Sequence, residues 1–137
     1  DLTATVSGGD RQVDTISIDG TADDDVITFT NVNGKIIVSG LGAEIELTNF
    51  DADDRLIING LDGDDIIDAS GLSGILLTID GGDGDDILIG GVGDDTLNGG
   101  AGDDVLIGGA GHNTMDGGPG DNIVIDSVVS LDQALLL

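Results

Sequence analysis

Large apolar residues recur along the chain at a short and constant interval. From Ile79 to Val124 one stands at every ninth position, and Ile67 lies 12 residues before Ile79; the members between are Leu88, Leu97, Leu106 and Met115. Each is the middle residue of a three-residue segment, and six residues rich in Gly and Asp precede each segment from 87–89 onward. Because neighbouring side chains of a strand face opposite ways, the middle residue is predicted to point inward. The pattern therefore predicts short strands and tight turns stacked as a solenoid.

The same spacing extends less regularly towards the start of the chain. Following it backwards assigns inward positions to Leu56, Leu47, Ile37, Ile27, Ile18 and Val6. We expect one continuous all-β domain, with degenerate solenoid coils over residues 1–58, regular coils over 59–125 and a C-terminal capping tail over 126–137. A separate small β domain over the first part is the alternative.

The net charge of the chain constrains its function more than its length does. The 137 residues carry 28 acidic and 3 basic side chains, for a formal net charge of −25, and there is no cysteine. Such a chain cannot neutralise a phosphate backbone, and it has no apolar run that could span a bilayer, so we expect neither nucleic acid nor membrane insertion. All of the acids except Glu44 and Glu46 are Asp, which favours turns and short-armed oxygen ligands. Bound cations would relieve the self-repulsion of this fold.

A tandem repeat occupies the regular part. From residue 81 the chain reads GGDGDDILI, GGVGDDTLN, GGAGDDVLI, GGAGHNTMD and GGPGDNIVI, and a degenerate copy, GLDGDDIID, stands at 60–68. These nonapeptides resemble the RTX family, the hemolysin-type calcium-binding repeats with the pattern G-G-x-G-x-D-x-U-x. The resemblance implies a right-handed parallel β-roll, or β-solenoid, in which two nonapeptides make one coil. Calcium ions would then lie between stacked glycine–aspartate turns 18 residues apart.

The resemblance also implies a ligand set for each ion. One turn gives the carbonyl oxygens of its second and fourth places and its sixth-place side chain, and the next turn on that side gives the carbonyls of its first and third places and its sixth-place side chain. Carried onto this sequence, one site joins Gly82, Gly84 and Asp86 to Gly99, Ala101 and Asp104. The other sites join Leu61, Gly63 and Asp65 to Gly81, Asp83 and Asp86; Gly100, Gly102 and Asp104 to Gly117, Pro119 and Asn122; and, on the opposite side, Gly91, Gly93 and Asp95 to Gly108, Ala110 and Asn113.

These sites are not expected to be equivalent. The two with an asparagine exchange one carboxylate for an amide, which should donate a neutral oxygen and weaken the site. Between the turns at 60 and 81 the interval is 21 rather than 18, so residues 69–77 are expected to loop out. In total we expect about three to five calcium ions and no other cofactor.

Outward positions of alternate strands are apolar. They should form one exposed stripe, made of Ile87, Ile89, Val105, Ile107, Ile123 and Ile125 and extended by Ile66. Soluble monomers rarely leave such a stripe bare, so we expect it to be covered by the tail at 127–137, by another copy or by a parent domain. Residues 130–133 are a possible capping box that would open a short helix in this tail. The tail is also similar to the C-terminal export signals of type I secreted RTX proteins.

Catalysis finds little support in the sequence. The one histidine, His112, stands at an outward turn position, and the basic residues Arg11, Lys35 and Arg55 lie away from the regular repeats. The third places of the turns lack the file of Thr and Asn that ice recognition would need, and two phenylalanines are few for carbohydrate adhesion. We therefore expect no catalytic residues, and a secreted, extracellular or cell-surface module that folds with calcium and assists the export and folding of its parent. The alternative is a self-assembling surface-layer or adhesin module.

Overall fold

The computed structural model describes residues 2–5 and 12–126, which are all β-structure, turns and bends. The strands of these residues are β1 (Leu2–Thr5), β2 (Thr15–Asp19), β3 (Val26–Val32), β4 (Lys35–Ser39), β5 (Ile45–Thr48), β6 (Arg55–Asp62), β7 (Ile66–Gly71), β8 (Leu76–Asp83), β9 (Ile87–Ile89), β10 (Thr96–Ala101), β11 (Val105–Ile107), β12 (Thr114–Asp116) and β13 (Ile123–Ile125). They form an eight-stranded sheet in the order β1-β5-β4-β3-β7-β9-β11-β13 and a five-stranded sheet in the order β12-β10-β8-β6-β2. Within residues 2–5 and 12–126 no helix could span a membrane.

From β6 to β13 successive strands alternate between the two sheets and pair in parallel with their neighbours. Ile79 of β8 pairs with Leu97 of β10, and Leu97 pairs with Met115 of β12, so one coil takes 18 residues, or two nonapeptides. From β6 to β13 the structure is therefore an all-β parallel solenoid, as the periodicity predicts.

The core of the solenoid is the nine-residue file of apolar side chains. Ile67, Ile79, Leu88, Leu97 and Leu106 are all fully buried, which confirms their predicted inward position. Each contributes roughly 1.5–3 kcal/mol to stability relative to an exposed side chain. Met115 is partly buried against this core, whereas Val124 is 47% exposed, because β13 ends the eight-stranded sheet and leaves it a neighbouring strand on one side.

The first strands also belong to the solenoid, but not all of them are coils. β2 pairs in parallel with β6 and β3 with β7, and the predicted inward residues Ile18, Ile27, Leu47 and Leu56 are buried. Residue Val6 lies outside the described residues. β4, by contrast, pairs antiparallel with both β3 and β5, so the coil interpretation does not hold for β4 and β5. The boundaries predicted at residues 58 and 125 stay predictions.

The hairpin also changes one inward assignment. The prediction for Ile37 is wrong, because its neighbours Ile36 and Val38 are the fully buried residues of β4 and Ile37 is half-buried. A shift of one residue exchanges the two faces of a strand. Asn33 and Gly34 form the two-residue turn between β3 and β4, both with positive φ (53° and 78°). Asn-Gly between apolar runs is a strong hairpin signal that nine-residue periodicity does not consider.

The three additional residues of the 21-residue coil do not loop out as expected. Ala69, Leu72, Ile75 and Leu77 are all buried. The Leu72 N–H donates to the Ala69 carbonyl (2.9 Å), and the Leu72 carbonyl accepts from the Val92 N–H of the next coil (2.9 Å). These side chains are apolar, so the widened coil buries them in the core instead of exposing them.

The outer faces of the two sheets differ, as predicted. The register pairs Ile66 with Ile87, Ile87 with Val105 and Val105 with Ile123, and it places Ile107 between Ile89 and Ile125. The apolar stripe is thus a continuous surface of the eight-stranded sheet. In the five-stranded sheet, β10 and β12 have a polar outer face, made of Thr96, Asn98, Thr114 and Asp116. The predicted helix and covering role of the tail lie outside the described residues.

Candidate metal centres

Two edges of the solenoid carry the turns between the sheets. On the first edge the turns 20–25, 60–65, 81–86, 99–104 and 117–122 follow one another, each leading from the five-stranded to the eight-stranded sheet. The carbonyls of Asp65, Asp86 and Asp104 accept the N–H of Ile87, Val105 and Ile123, all at 2.8 Å, which fixes the register of the stack. The second edge carries the turns 51–54, 72–75, 90–95 and 108–113.

The sixth-place acids of the first edge are buried and only half satisfied. Asp65, Asp86 and Asp104 are at most 1% exposed. The Oδ1 atom of Asp86 accepts the Asp65 N–H (2.8 Å), and that of Asp104 accepts the Asp86 N–H (2.9 Å). Oδ2 of all three has no hydrogen-bond partner although it is buried. A buried carboxylate oxygen without a donor is costly, so these three atoms call for a cation.

Burial also shows in the acidity of these groups. It raises the pKa of Asp86 to about 6, against an ordinary 3.8, helped by the negative charges of Asp65 and Asp104 and opposed by the hydrogen bond from the Asp65 N–H. The pKa of Asp65 is raised in the same way, by burial and then by the charges of Asp25, Asp24 and Asp64. At neutral pH the metal-free edge therefore holds negative charge where water cannot reach it.

Each unpaired oxygen lies beside a backbone carbonyl of the following turn. A methyl group built on Gly81 would lie 2.3 Å from Asp86 Oδ2 and 2.6 Å from the Gly99 carbonyl oxygen. The same holds one turn earlier, where a methyl on Gly60 would lie 2.4 Å from Asp65 Oδ2 and 2.3 Å from the Gly81 oxygen. The glycine at the first place thus leaves open a small space where a carboxylate and a carbonyl oxygen meet. Both belong to the predicted ligand set.

The other predicted carbonyls are arranged in two ways. The Gly82 and Gly84 oxygens point at the next turn, where a methyl on Gly100 or Gly102 would come within 2.0 and 2.1 Å of them. Gly100 and Gly102 have φ of +102° and +135°, so both close approach and backbone conformation require glycine. The third-place Ala101 carbonyl instead accepts the Gly84 N–H at 2.9 Å. The first edge therefore offers oxygens of the kind that calcium prefers, several of them backbone carbonyls.

Comparison with protein families identifies this arrangement. The model of the RTX calcium-binding nonapeptide repeat matches in 4 copies, over residues 78–97 and 89–124, about a third of the chain. These nonapeptides are RTX calcium-binding repeats. The turn at 60–65, whose Asp65 has the same unpaired oxygen, lies upstream of the matched RTX residues. No curated protein and no solved structure matches the chain.

The asparagines of the RTX turns do not present their oxygen as expected. Asn122 Oδ1 accepts the Asp104 N–H (2.7 Å), and its Nδ2 donates to the Gly118 carbonyl (2.9 Å). A methyl built on Gly117 would lie 2.6 Å from this nitrogen. Asn113 is arranged alike, with its Nδ2 donating to the Gly109 carbonyl at 3.3 Å. An amide nitrogen therefore stands where Asp86 and Asp104 hold an unpaired oxygen.

The second edge is arranged differently from the first. Asp95 is buried, and its Oδ2 accepts the Gly91 N–H at 2.8 Å. Burial raises its pKa to about 6, with a contribution from the charge of Asp94 and opposed by the Gly91 hydrogen bond. Asp54 accepts two backbone donors, the Asp14 N–H on Oδ1 (2.9 Å) and the Asp51 N–H on Oδ2 (2.8 Å). The structure brings together the residues predicted for the second-edge site, but Asp95 Oδ2 already accepts a backbone hydrogen bond.

The sequence analysis did not identify a second file of acids, which stand at the fifth place of the first-edge turns. Asp64, Asp85 and Asp103 accept the N–H of the fifth-place residue one coil later through Oδ1, at 2.8–2.9 Å. The sixth-place acids accept from one coil earlier, so the two files bind adjacent coils in opposite directions. The repeated Asp-Asp pair of GDGDD and GAGDD is the signal that could have revealed it.

Side chains alone do not make these sites. Among residues 2–5 and 12–126, no group of three or more His, Cys, Asp and Glu that could hold a metal comes together. The one histidine, His112, is exposed, and its N–H donates to Asp94 Oδ1 at 2.8 Å. Arg55 and Asp94 line a shallow groove of about 260 Å³ with Leu76, Leu77, Thr78 and Thr96.

Proposed function

We propose that this protein is a module that folds when calcium binds, within a secreted or cell-surface protein whose export and folding it assists. One observation carries the proposal: the buried, unpaired Oδ2 atoms of Asp65, Asp86 and Asp104, of which that of Asp86 lies beside the Gly99 carbonyl. Calcium takes six to eight oxygen ligands and accepts carbonyls together with carboxylates, whereas Mg²⁺ demands a tight octahedron and retains its water. The set on the first edge suits the larger ion.

The energy balance supports a fold that forms only when calcium is bound. The chain has 25 glycines and a net charge of −25, so ordering it opposes an entropy of about 1–2 kcal/mol per residue as well as charge repulsion. An ion that binds the folded state alone stabilises it by mass action. Extracellular calcium modules bind at about 10⁻⁴–10⁻³ M, far above cytosolic calcium. The chain would therefore remain unfolded during export and fold outside the cell.

A calcium titration tests this proposal. Far-UV circular dichroism of the EDTA-treated protein should change from a disordered to a β-rich spectrum as CaCl₂ approaches the millimolar range, and MgCl₂ should fail to produce the change. A chelated protein that is already fully β-structured, or one that magnesium folds equally well, would overturn the proposal.

The apolar stripe favours a second candidate function, an assembly module that packs against another copy or a parent domain. Ile87, Ile123 and Ile125 are 36%, 57% and 38% exposed, and the register joins them to Ile66 in one surface. Sedimentation velocity in saturating calcium should then give a dimer or larger species, which Ile87→Thr and Ile123→Thr together should dissociate. A monomer under these conditions would leave self-assembly without support.

A further inference from the structure

The two edges of the solenoid differ in what their buried acids lack. On the first edge Asp65, Asp86 and Asp104 each bury one oxygen without a donor. On the second edge Asp54 has a backbone donor on each oxygen, and the Asp95 oxygen that faces the next turn accepts the Gly91 N–H. Backbone donors thus occupy, on the second edge, the oxygens that the first edge leaves for a cation.

The contact that satisfies Asp95 recurs at the start of the first edge. In turn 20–25 the N–H of Thr21 donates to Asp25 Oδ2 at 2.6 Å, and its hydroxyl donates to the same atom at 3.1 Å. Donor and acceptor are four residues apart, as they are between Gly91 and Asp95. In a turn of this kind, donors of the same turn satisfy the carboxylate oxygen. Turn 20–25 therefore ends the row of unpaired oxygens, and the row begins at Asp65.

The preceding turn explains why Asp95 is satisfied locally. On the second edge turn 90–95 follows the buried apolar turn of Leu72 and Ile75, which offers no carboxylate. A methyl built on Gly91 would lie 2.5 Å from the Leu72 carbonyl oxygen, so backbone fills this space. In the following turn, Asn113 Oδ1 accepts the Asp95 N–H at 3.0 Å, and its amide nitrogen donates to the Gly109 carbonyl of its own turn. Asp95 thus has no carboxylate in the turn on either side of it, and its Oδ2 is satisfied by its own turn.

We propose that calcium binds along the first edge alone, as three ions in single file, and that the second edge over residues 51–113 folds without metal. The ions lie between turns 60–65 and 81–86, between 81–86 and 99–104, and between 99–104 and 117–122. Asp25 closes the file at one end and Asn122 at the other. The calcium site that the family resemblance implies around Gly91, Gly93 and Asp95 then holds no ion and is stabilised by hydrogen bonds. This inference rests on the proposed calcium binding.

Counting ions on matched variants of the full chain tests it. Asp86→Asn and Asp95→Asn each remove one charge from a buried sixth-place acid, one on each edge. Equilibrium dialysis against CaCl₂, with metal measured by mass spectrometry, should give three ions per chain for the wild type and for Asp95→Asn, and two or fewer for Asp86→Asn. Asp104→Asn serves as a second first-edge variant, should Asp86→Asn fail to fold, and it too should lose an ion.

The outcomes separate the two proposals. A wild-type count other than three, or loss of an ion in Asp95→Asn, overturns the single file while calcium binding stands. First-edge variants that fold and still bind three ions overturn it as well. A wild type that binds no calcium overturns the proposed function itself.

Discussion

Replacing Asp86 with asparagine should change stability in opposite directions with and without calcium. Asp86 is 1% exposed, and burial raises its pKa to about 6 from 3.8. One pKa unit corresponds to about 1.4 kcal/mol, so keeping this carboxylate charged at pH 7.5 costs the metal-free fold roughly 3 kcal/mol. Asparagine removes that cost, and Asn122 shows that an amide fits a sixth place by donating to the carbonyl of its own turn. Without metal the variant should therefore be the more stable protein.

With calcium the sign reverses. Asp86 Oδ2 lies beside the Gly99 carbonyl, and its replacement by an amide nitrogen removes an anionic ligand. A ligand at 100 times its Kd stabilises the folded state by about 2.7 kcal/mol. Asp86 belongs to the predicted ligand sets of two sites, so losing both costs about 5.4 kcal/mol, which exceeds the roughly 3 kcal/mol gained without metal.

Two denaturation experiments measure these effects. Refolding by trimethylamine N-oxide in EDTA reports on the metal-free fold, and urea unfolding in saturating CaCl₂ reports on the bound one. Asp83→Asn is the matched control, because it removes one charge from an exposed position of the same turn and keeps the backbone carbonyl. A more stable metal-free fold lowers the trimethylamine N-oxide midpoint, and a less stable calcium-bound fold lowers the urea midpoint, so both midpoints should fall. If they shift in opposite directions, Asp86→Asn has changed stability with the same sign in both states, and the assignment of Asp86 Oδ2 as a calcium ligand is wrong.

Three further perturbations test other parts of the structure. In EDTA, acidification from pH 7.5 to 4.5 should increase the β signal in circular dichroism. The pKa values of Asp86 and Asp95 are raised to about 6 in the fold, so the folded chain binds protons more tightly than the unfolded chain and its stability falls as pH rises from 3.8 to 6. A loss of β signal on acidification would contradict this. Gly81→Ala places a methyl 2.3 Å from Asp86 Oδ2 and should weaken calcium binding by about 10–100-fold in a calorimetric titration, and an unchanged affinity would contradict this. Leu106→Ala should cost about 2–5 kcal/mol in urea unfolding with calcium, whereas Val92→Ala, at a 58% exposed position, should cost far less; equal costs would place Leu106 outside the core.

Periodicity was sufficient for the coil but not for the hairpin. A nine-residue repeat identifies the inward residue of each strand, since a three-residue strand between glycine turns has one inward position, and Leu88 and Leu97 follow this rule. It fails at Ile37, where the chain leaves the repeat for antiparallel strands and local turn chemistry decides the register. The 21-residue coil shows the same limit of the periodicity. Its longer interval can be read from the sequence, but the burial of Leu72 depends on how the neighbouring coils pack against it.

The candidate metal sites could likewise be predicted only in part from the sequence. The turns 81–86 and 90–95 read GGDGDD and GGVGDD, so local sequence hardly distinguishes Asp86 from Asp95. Their carboxylates differ because of the turn one coil earlier, which is another glycine–aspartate turn for Asp86 and the apolar turn of Leu72 for Asp95. Which oxygen remains unpaired is therefore a property of stacking, and no single nonapeptide determines it.

The buried apolar turn also widens one coil of the solenoid. The coil that holds Leu72 and Ile75 has three residues more than the next ones, or about 10 Å of additional perimeter. This wide coil buries hydrocarbon at Leu72 and Ile75, while the later coils carry glycine turns and the unpaired carboxylates of Asp86 and Asp104. In stacked repeats each unit draws its stability mainly from its neighbours. We therefore expect intrinsic stability to decline from the wide coil towards β13, so that the calcium concentration would set how far order extends along the repeats and folding would be graded with calcium.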